Sequence, residues 1–219
     1  MAVLTSGNLR ILGDNSSPAS FEATLSAHDC GPLLREEART VQINVGKLCN
    51  QACHHCHVDA GPKRTEVMAR EVVERTIELI ARSATVEVVD ITGGAPELNP
   101  HFRRLVAAAR KQGRHVMDRC NLTVLVQPGM EDLPEFLAAH QVEITASLPC
   151  YTAENVDQQR GEGVFEKSVR MLQMLNRLGY GLPGSSLALN LVYNPLGPSL
   201  PPPQDGLEAE YKKQLRDRF

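Results

Sequence analysis

The chain has 219 residues, of which 42% are hydrophobic and 22% are charged, and its formal net charge is −3. These values are typical of a globular domain, and without a lysine- or arginine-rich block they exclude the electrostatic pattern of a nucleic-acid-binding protein. No apolar run reaches the roughly 18 residues of a membrane span, and the N-terminus lacks an apolar core with a cleavage site. We therefore expect a cytoplasmic protein with neither a membrane nor a nucleic acid as partner.

An alternation of strands and helices follows an N-terminal region of different character. Residues 1–18 are polar and rich in Gly, Ser, Asn and Pro, which predicts a flexible tail, and the domain itself is expected over 19–219. Residues 19–38 are predicted to form one or two short helical turns. Strands are then predicted over 41–45, 85–92, 114–120, 142–148 and 187–193, and helices over 65–83, 99–113, 131–139, 163–179 and 207–218.

This alternation predicts an α/β fold with parallel strands and right-handed crossovers. The strands are too apolar for a sheet with one wet face, so helices are expected to cover the outside. A barrel, a partial barrel and an open doubly wound sheet all fit the pattern. A helix after the fifth strand normally leads to a sixth, so either the domain closes at five strands or the polypeptide is a fragment of a longer one.

In either architecture, functional groups gather at the carboxyl ends of the strands. The segment after the first strand contains three cysteines spaced C-x3-C-x2-C, namely Cys49, Cys53 and Cys56. Segments after the other strands add glycine, carboxylate, amide, hydroxyl and thiol groups. The candidate residues are Gly93, Gly94, Glu97, Cys120, Asn121, Ser147, Cys150 and Asn190.

Clustered thiols in a chain of this length favour metal binding over a disulfide framework. Three thiolates on one loop can hold three irons of a cubane cluster and leave the fourth iron open. A zinc site is the alternative, with a fourth ligand from His54, His55 or His57. A redox pair explains the cysteines less well, because it leaves the third one without a role.

The sequence resembles one family over most of its length. The stretches VGKLCNQACHHCHVDAGPKR, VDITGGAPELNPHF, DRCNLTVL, ASLPCYTAENVDQQRG and LNLVYNPLGP are similar to those of the arsenosugar biosynthesis radical S-adenosylmethionine (SAM) proteins, also called radical SAM/Cys-rich domain proteins. The resemblance runs from about residue 19 to the C-terminus. It implies a partial (β/α) TIM-like barrel, truncated here before the sixth strand and lacking the family's smaller C-terminal Cys-rich domain.

The resemblance also implies cofactors and the residues that bind them. Cys49, Cys53 and Cys56 would ligate a [4Fe–4S] cluster, and the amino and carboxylate groups of SAM would chelate the fourth iron. Gly93 and Gly94 would present backbone groups to the SAM amino group. Further contacts to the turn, the SAM carboxylate or the ribose are implied for Glu97, Asn121, Ser147 and Asn190.

The implied reaction begins with reductive cleavage of SAM to a 5′-deoxyadenosyl radical, with an electron from a donor such as flavodoxin or ferredoxin. The radical would add to a small trivalent dimethylarsenic substrate and form an adenosyl–arsenic precursor of arsenosugars. Because trivalent arsenic is thiophilic, Cys150 and Cys120 are candidates to hold it, although a free cysteine is often just a small buried apolar residue. The alternatives are a radical SAM enzyme with a thiol, selenol or peptide substrate, and a non-catalytic zinc- or metalloid-binding fragment.

Overall fold

The computed structural model of the protein describes residues 20–31, 33–34, 36–198 and 200–219. The tail predicted over 1–18 lies outside these residues. The chain divides into a unit that ends at Glu37 and a unit from Ala38 to Phe219. In the first unit, helix α1 (Phe21–Ala27) is capped by the Ser20 hydroxyl, which accepts a hydrogen bond from the Ala23 amide at 3.2 Å. This helix confirms the prediction of a short helical segment.

Five strands of the second unit form one sheet in which every described pair is parallel. The order across the sheet is the order along the chain, β1-β2-β3-β4-β5. The strands are β1 (Thr40–Asn44), β2 (Val88–Thr92), β3 (His115–Asp118), β4 (Glu143–Ser147) and β5 (Leu189–Val192).

Helices connect the strands and follow the last one, as the sequence predicted. They are α2 (Arg70–Arg82), α3 (Phe102–Lys111), α4 (Leu133–Ala139), α5 (Ala153–Arg160), α6 (Val164–Arg177) and α7 (Gln204–Arg218). Within the residues that the structure describes, no helix is long and apolar enough to cross a membrane.

The consecutive strand order decides between a barrel, complete or partial, and an open doubly wound sheet. A doubly wound sheet reverses its order partway, so that helices cover both of its faces. Here each connection steps in the same direction, and right-handed crossovers then place the helices on one face. A sheet covered on one face in this way curls into a barrel wall, so the fold is a partial barrel of α/β type.

The helix-facing side of the sheet is apolar along most of its length. In-register neighbours Val89 and Val116 are fully buried, and so are Ile91 and Ile144. Asp118 shares this face, since it pairs with both Ile91 and Ile144 in the sheet. A carboxylic acid is therefore buried within the hydrophobic layer.

The opposite, concave face is polar. Arg119 makes two hydrogen bonds of 2.8 Å to the carboxylate of Asp90, which also accepts one of 2.7 Å from Gln42. Burial opposes ionisation of Asp90, but these bonds prevail and lower its pKa. Farther around the same face, Glu143 accepts a hydrogen bond from Asn190 at 2.7 Å. The concave face can thus line a polar cavity, as a barrel interior with a binding site requires.

The structure differs from the sequence predictions at the start of α2 and in one helix that was not predicted. The helix predicted over 65–83 begins only at Arg70, because residues 66–68 pair with the base of the cysteine segment: the Lys47 amide donates to the Glu66 carbonyl and the Met68 amide to the Val45 carbonyl. Helix α5 was not predicted. The buried residues of this helix are only Val156, Gln159 and Arg160, two of which are polar, so its sequence lacks an apolar stripe.

Candidate functional site

The three cysteines lie on a loop that runs from the end of β1 to the start of α2. The loop closes on itself through backbone hydrogen bonds from Gly61 to Lys47 at 3.1 Å and from Cys49 to Gly61 at 3.2 Å. The buried side-chain amide of Asn99 donates to the carbonyls of Val45 and Met68, at 3.0 and 3.2 Å. Asn99 thereby ties the two ends of the loop together.

The glycine pair after β2 lies directly against this loop. The amide of Gly94 donates to the Gly46 carbonyl at 2.9 Å, and the next amide donates to the Leu48 carbonyl. A Cβ at Gly93 would lie 2.7 Å from the Gly46 oxygen, and one at Gly94 would lie 2.5 Å from the Leu48 oxygen. The backbone approach of the loop thus requires glycine at both positions, in addition to the cofactor contact predicted from the sequence.

Each thiol has a distinct environment. Cys49 is buried, and burial raises its pKa, whereas Cys53 and Cys56 are half-buried. The Cys56 sulfur accepts a hydrogen bond from the Ala60 amide at 3.2 Å. The Cys49 sulfur accepts one from the side-chain amide of Asn121 at 3.5 Å. Amide–sulfur bonds of this kind are typical around metal-bound thiolates.

The sulfurs of Cys49, Cys53 and Cys56 do not form a compact group. In a tetrahedral zinc site with zinc–sulfur bonds of about 2.3 Å, sulfurs lie about 3.8 Å apart. The three sulfurs do not all lie within 4.8 Å of one another; among the described residues the group that meets this limit is Glu97, Asp118 and Cys120. In a cubane each thiolate binds a different iron, so wider spacing is expected.

A buried network of side chains fixes the loop to the end of β3. The Thr123 hydroxyl accepts hydrogen bonds from Asn50 at 2.9 Å and from Gln51 at 2.8 Å, and it donates to Asn121 at 3.2 Å. Gln51 in turn accepts a hydrogen bond of 2.8 Å from Arg160 at the end of α5. Asn121, Thr123, Gln51 and Arg160 are all at least nine-tenths buried. The network therefore joins three segments that are distant in sequence.

Arg160 places a positive charge beneath the loop. Its guanidinium also donates to the Ser147 carbonyl at the end of β4. Burial and the charge of Arg160 lower the pKa of His55, whose buried Nδ1 has no hydrogen-bond partner in the part of the chain that the structure describes. Through Arg160, the structure connects Ser147 to the cysteine loop, as its predicted position at the rim implies.

Glu97 and Cys120 lie deeper than the rim, in a cluster with Asp118. All three side chains are buried, and among the described residues no donor from outside the cluster reaches the oxygens of Glu97 or Asp118. Burial, reinforced by Glu97, raises the pKa of Asp118 well above its ordinary range. Burial and the two carboxyl groups raise the pKa of Cys120 in the same way. The cluster is stable if Asp118 and Cys120 keep their protons and donate hydrogen bonds to Glu97.

The last two candidates are on the C-terminal side of the sheet. Asn190 lies within β5 and donates its side-chain hydrogen bond to Glu143, not to the network around the loop. Cys150 follows β4 and is 8% exposed, with its sulfur 3.6 Å from the Thr152 hydroxyl. The structure therefore brings the glycine pair, Asn121 and Ser147 to the cysteine loop, whereas Asn190 bonds elsewhere.

Several residues of the site were missed in the sequence. Asn50 and Gln51 lie between the first two cysteines, so the sequence was sufficient to place them on the loop. It did not indicate their hydrogen-bond partners. Arg160 and Thr123 gave no such signal, because each lies outside the predicted elements and acts through residues far away in the chain.

The chain is similar to known proteins in its sequence and in its fold. A sequence profile of the Radical SAM superfamily matches residues 43–191. The chain is 33% identical to mycofactocin maturase MftC of Mycobacterium tuberculosis H37Rv over 132 residues, which are 60% of the chain and 33% of that protein. It is 33% identical to the putative peptide biosynthesis protein YydG of Bacillus subtilis over 64 residues, 29% of the chain and 20% of that protein. The chain thus spans a third or less of the length of these curated relatives.

Solved structures resemble the fold at low sequence identity. Streptococcus suis SuiB bound to S-adenosylmethionine has a TM-score of 0.60 and 16% identity, covering 88% of this chain and 40% of SuiB. Native anSMEcpe with bound AdoMet and the Kp18Cys peptide has a TM-score of 0.56 and 19% identity, covering 70% of this chain and 42% of the other.

We expect Gly94→Ala to displace the cysteine loop. The added Cβ meets two backbone carbonyl oxygens, of Lys47 and Leu48, which cannot move without the loop. Overpacking of this kind costs about 1–3 kcal/mol in the free energy of unfolding, and we expect the variant to bind less iron after anaerobic reconstitution. Urea unfolding and iron analysis measure both effects.

The matched control is Gly206→Ala on the exposed surface of α7, where a Cβ meets no neighbour. Alanine there is expected to raise helix stability by up to about 1 kcal/mol and to leave iron binding unchanged. Equal iron binding by Gly94→Ala and the wild type would contradict the close approach.

We expect Asp118→Asn to change how stability depends on pH. Because the pKa of Asp118 is raised above its ordinary value of 3.8, the folded state keeps a proton that the unfolded chain releases. This contribution is complete below about pH 4 and is lost as pH rises through the folded-state pKa. Urea unfolding at several pH values should show the variant gaining stability relative to wild type as pH rises, whereas exposed Asp217→Asn should run parallel to wild type. A parallel curve for Asp118→Asn would show that the carboxyl is ionised in the fold.

Proposed function

The chain belongs to the radical SAM superfamily, which uses a [4Fe–4S] cluster and S-adenosylmethionine, and from this premise we propose that Cys49, Cys53 and Cys56 bind the cluster. The observation that carries the proposal is the loop itself: three soft thiol ligands spaced C-x3-C-x2-C on one segment after β1, inside the region that the superfamily profile matches. The donor set fits, since thiolates are the usual ligands of iron–sulfur clusters.

Neighbouring groups support an anionic cluster at this position. A cubane held by thiolates carries negative charge, which is costly to bury without compensation. Arg160 is buried beside the loop, and its guanidinium reaches both Gln51 and the Ser147 carbonyl. We propose that Arg160 balances this charge and keeps the helix end of α5 against the loop.

SAM would bind over the open side of the loop. Gly93 and Gly94 lie at the carboxyl end of β2, and Ser147 ends β4, so these residues face the same rim. We propose that the glycine backbone meets the amino group of SAM and that the Ser147 hydroxyl meets its ribose or carboxylate. Asn190 remains a proposed contact to SAM from β5. Glu97 is proposed to support the turn that follows β2.

When bound, the two cofactors supply one-electron cleavage of a carbon–sulfur bond, which releases an adenosyl radical. The chain's own residues hold the cofactors in register and exclude water. A flavodoxin or ferredoxin is the proposed electron donor.

For the substrate, we propose trivalent dimethylarsenic, in line with the sequence resemblance to arsenosugar biosynthesis proteins. Addition of the adenosyl radical to arsenic forms the carbon–arsenic bond. The arsenic-centred radical then loses one electron to a one-electron carrier such as flavodoxin or ferredoxin and releases the proton of the hydroxyl group that the substrate already carries. The product is a pentavalent adenosyl–arsenic oxide, a precursor of arsenosugars.

The surroundings of Cys150 support a thiophilic, methylated substrate. Tyr151 and Tyr193 each pack edge-on against Tyr211, with ring centroids 5.3 and 6.3 Å apart. The Tyr211 hydroxyl donates to the Leu148 carbonyl at 2.7 Å, two residues before Cys150. This segment combines a nearly buried thiol with an aromatic wall, which suits an arsenic atom that carries two methyl groups. Cys120 is a weaker candidate, since it is fully buried in the carboxyl cluster.

A peptide substrate is the second candidate. It is favoured by the relatives, because MftC is a maturase, YydG is a putative peptide biosynthesis protein, and SuiB has been solved bound to the precursor peptide SuiA. In that case the adenosyl radical would abstract hydrogen from the peptide and leave as 5′-deoxyadenosine.

The cluster is tested by electron paramagnetic resonance (EPR) on protein reconstituted anaerobically with iron and sulfide. We expect a reduced [4Fe–4S] signal that changes when SAM is added, because SAM binds the open iron. Cys53→Ala should lose the signal, whereas Cys30→Ala, on the exposed cysteine of the first unit, should keep it. A colourless protein that binds one zinc instead would overturn the cluster.

The substrate is tested by mass spectrometry of the products formed from SAM, reductant and dimethylarsenite. We expect 5′-deoxy-5′-dimethylarsinoyl-adenosine, and we expect Cys150→Ser to lower its yield by about tenfold or more, because the arsenical is no longer positioned. Cys30→Ser is the control and should retain the yield. Abundant 5′-deoxyadenosine with a cysteine-containing peptide, and no arsenic adduct, would favour the peptide candidate instead.

A further inference from the structure

Asn121 has its side-chain orientation fixed by four hydrogen bonds. Its oxygen accepts from the Val124 amide at 3.0 Å and from the Thr123 hydroxyl at 3.2 Å, so its nitrogen must face the other way. That nitrogen donates to Asn50 at 2.8 Å and to the Cys49 sulfur at 3.5 Å. No donor or acceptor of the amide is left for the SAM contact predicted from the sequence.

An unusual turn holds Asn121 in this position. Leu122 has φ 61° and ψ −45°, and the Thr123 amide donates to the Asn121 carbonyl at 2.7 Å. These values describe a γ-turn with positive φ, a rare and strained conformation for a residue with a side chain. Leu122 is fully buried, and its amide donates to the Cys120 sulfur at 3.2 Å. Packing on Leu122 therefore maintains a turn that the local backbone disfavours.

From this geometry we propose that Asn121 tunes the reduction potential of the cluster through its N–H···S hydrogen bond to Cys49. The inference rests on the proposed cluster site. A hydrogen bond to a ligating sulfur draws electron density from it and stabilises the reduced cluster, which carries one more negative charge, so the bond raises the potential. Asn121 acts through Cys49 and is a positioning residue rather than a catalytic one.

Asn121→Asp is the sharpest variant. Aspartate keeps the oxygen that Val124 and Thr123 require and replaces the nitrogen that donates to the Cys49 sulfur and to Asn50. Asn50→Asp is the matched control, because it introduces the same charge on the neighbouring side chain and leaves the Asn121 donor in place. Both proteins are reconstituted to equal iron and sulfide content, and their midpoint potentials are measured by EPR-monitored redox titration.

We expect Asn121→Asp to be harder to reduce than Asn50→Asp by at least about tenfold in the one-electron equilibrium constant, which is about 59 mV. Equal shifts in the two variants would overturn the proposal and attribute the effect to charge alone. Absence of a cluster in the wild type would instead contradict the proposed function.

A second measurement covers the case in which Asn121→Asp does not assemble a cluster. Wild-type protein with ¹⁵N-labelled asparagine side chains is expected to show coupling of an amide nitrogen to the reduced cluster in pulsed EPR. Thr123→Val should weaken this coupling, because it removes the hydroxyl that orients Asn121. Absence of the coupling in the wild type would overturn the proposal.

Discussion

The Thr123 hydroxyl is the centre on which the arrangement of the site depends. It uses both acceptor positions and its one donor, for Asn50, Gln51 and Asn121, at a position that is 3% exposed. Buried polar groups gain little unless all their partners are present, but a fully satisfied network fixes one geometry. Two residues of the cysteine loop and one at the end of β3 are therefore held in a single arrangement.

The partial barrel makes such a network available. Because all five strands are parallel and follow chain order, the segments after β1, β2, β3 and β4 emerge side by side at one rim. The glycine pair from β2 supports the loop from one side, and Arg160 reaches it from the helix after β4. The site is thus assembled from adjacent connections and needs no long excursion of the chain.

The sequence was sufficient to predict the elements that obey a simple period. The strands and the amphipathic helices were predicted to within a few residues, because buried positions such as Val73, Ile77 and Ile80 recur at helical spacing. Helix α5 was missed because it buries mainly polar side chains. Residues 65–69 were assigned to a helix because the spacing of apolar residues carries no information about their backbone pairing with the base of the loop. The cysteine ligands could be predicted from spacing, whereas Thr123 and Arg160 could not, since their roles depend on contacts across 72 and 109 positions of sequence.

Charge balance explains why the buried acids lie behind the cysteine loop, whereas a buried base contacts the loop directly. Glu97, Asp118 and Cys120 lie behind the loop, and no cation of the described residues is among their hydrogen-bond partners. Glu97 also contributes to the raised pKa of Cys49. If both carboxyl groups there were ionised, an anionic cluster would face two further buried charges. Burial raises the pKa of Asp118 and of Cys120, so protons shared with Glu97 limit the charge of this layer. The buried cation, Arg160, instead contacts the loop directly, where it can offset the negative charge of the thiolates. The raised pKa values of Asp118 and Cys120 thus reduce the charge that the core has to bury, whereas the position of Arg160 beside the proposed cluster ligands favours its charged form.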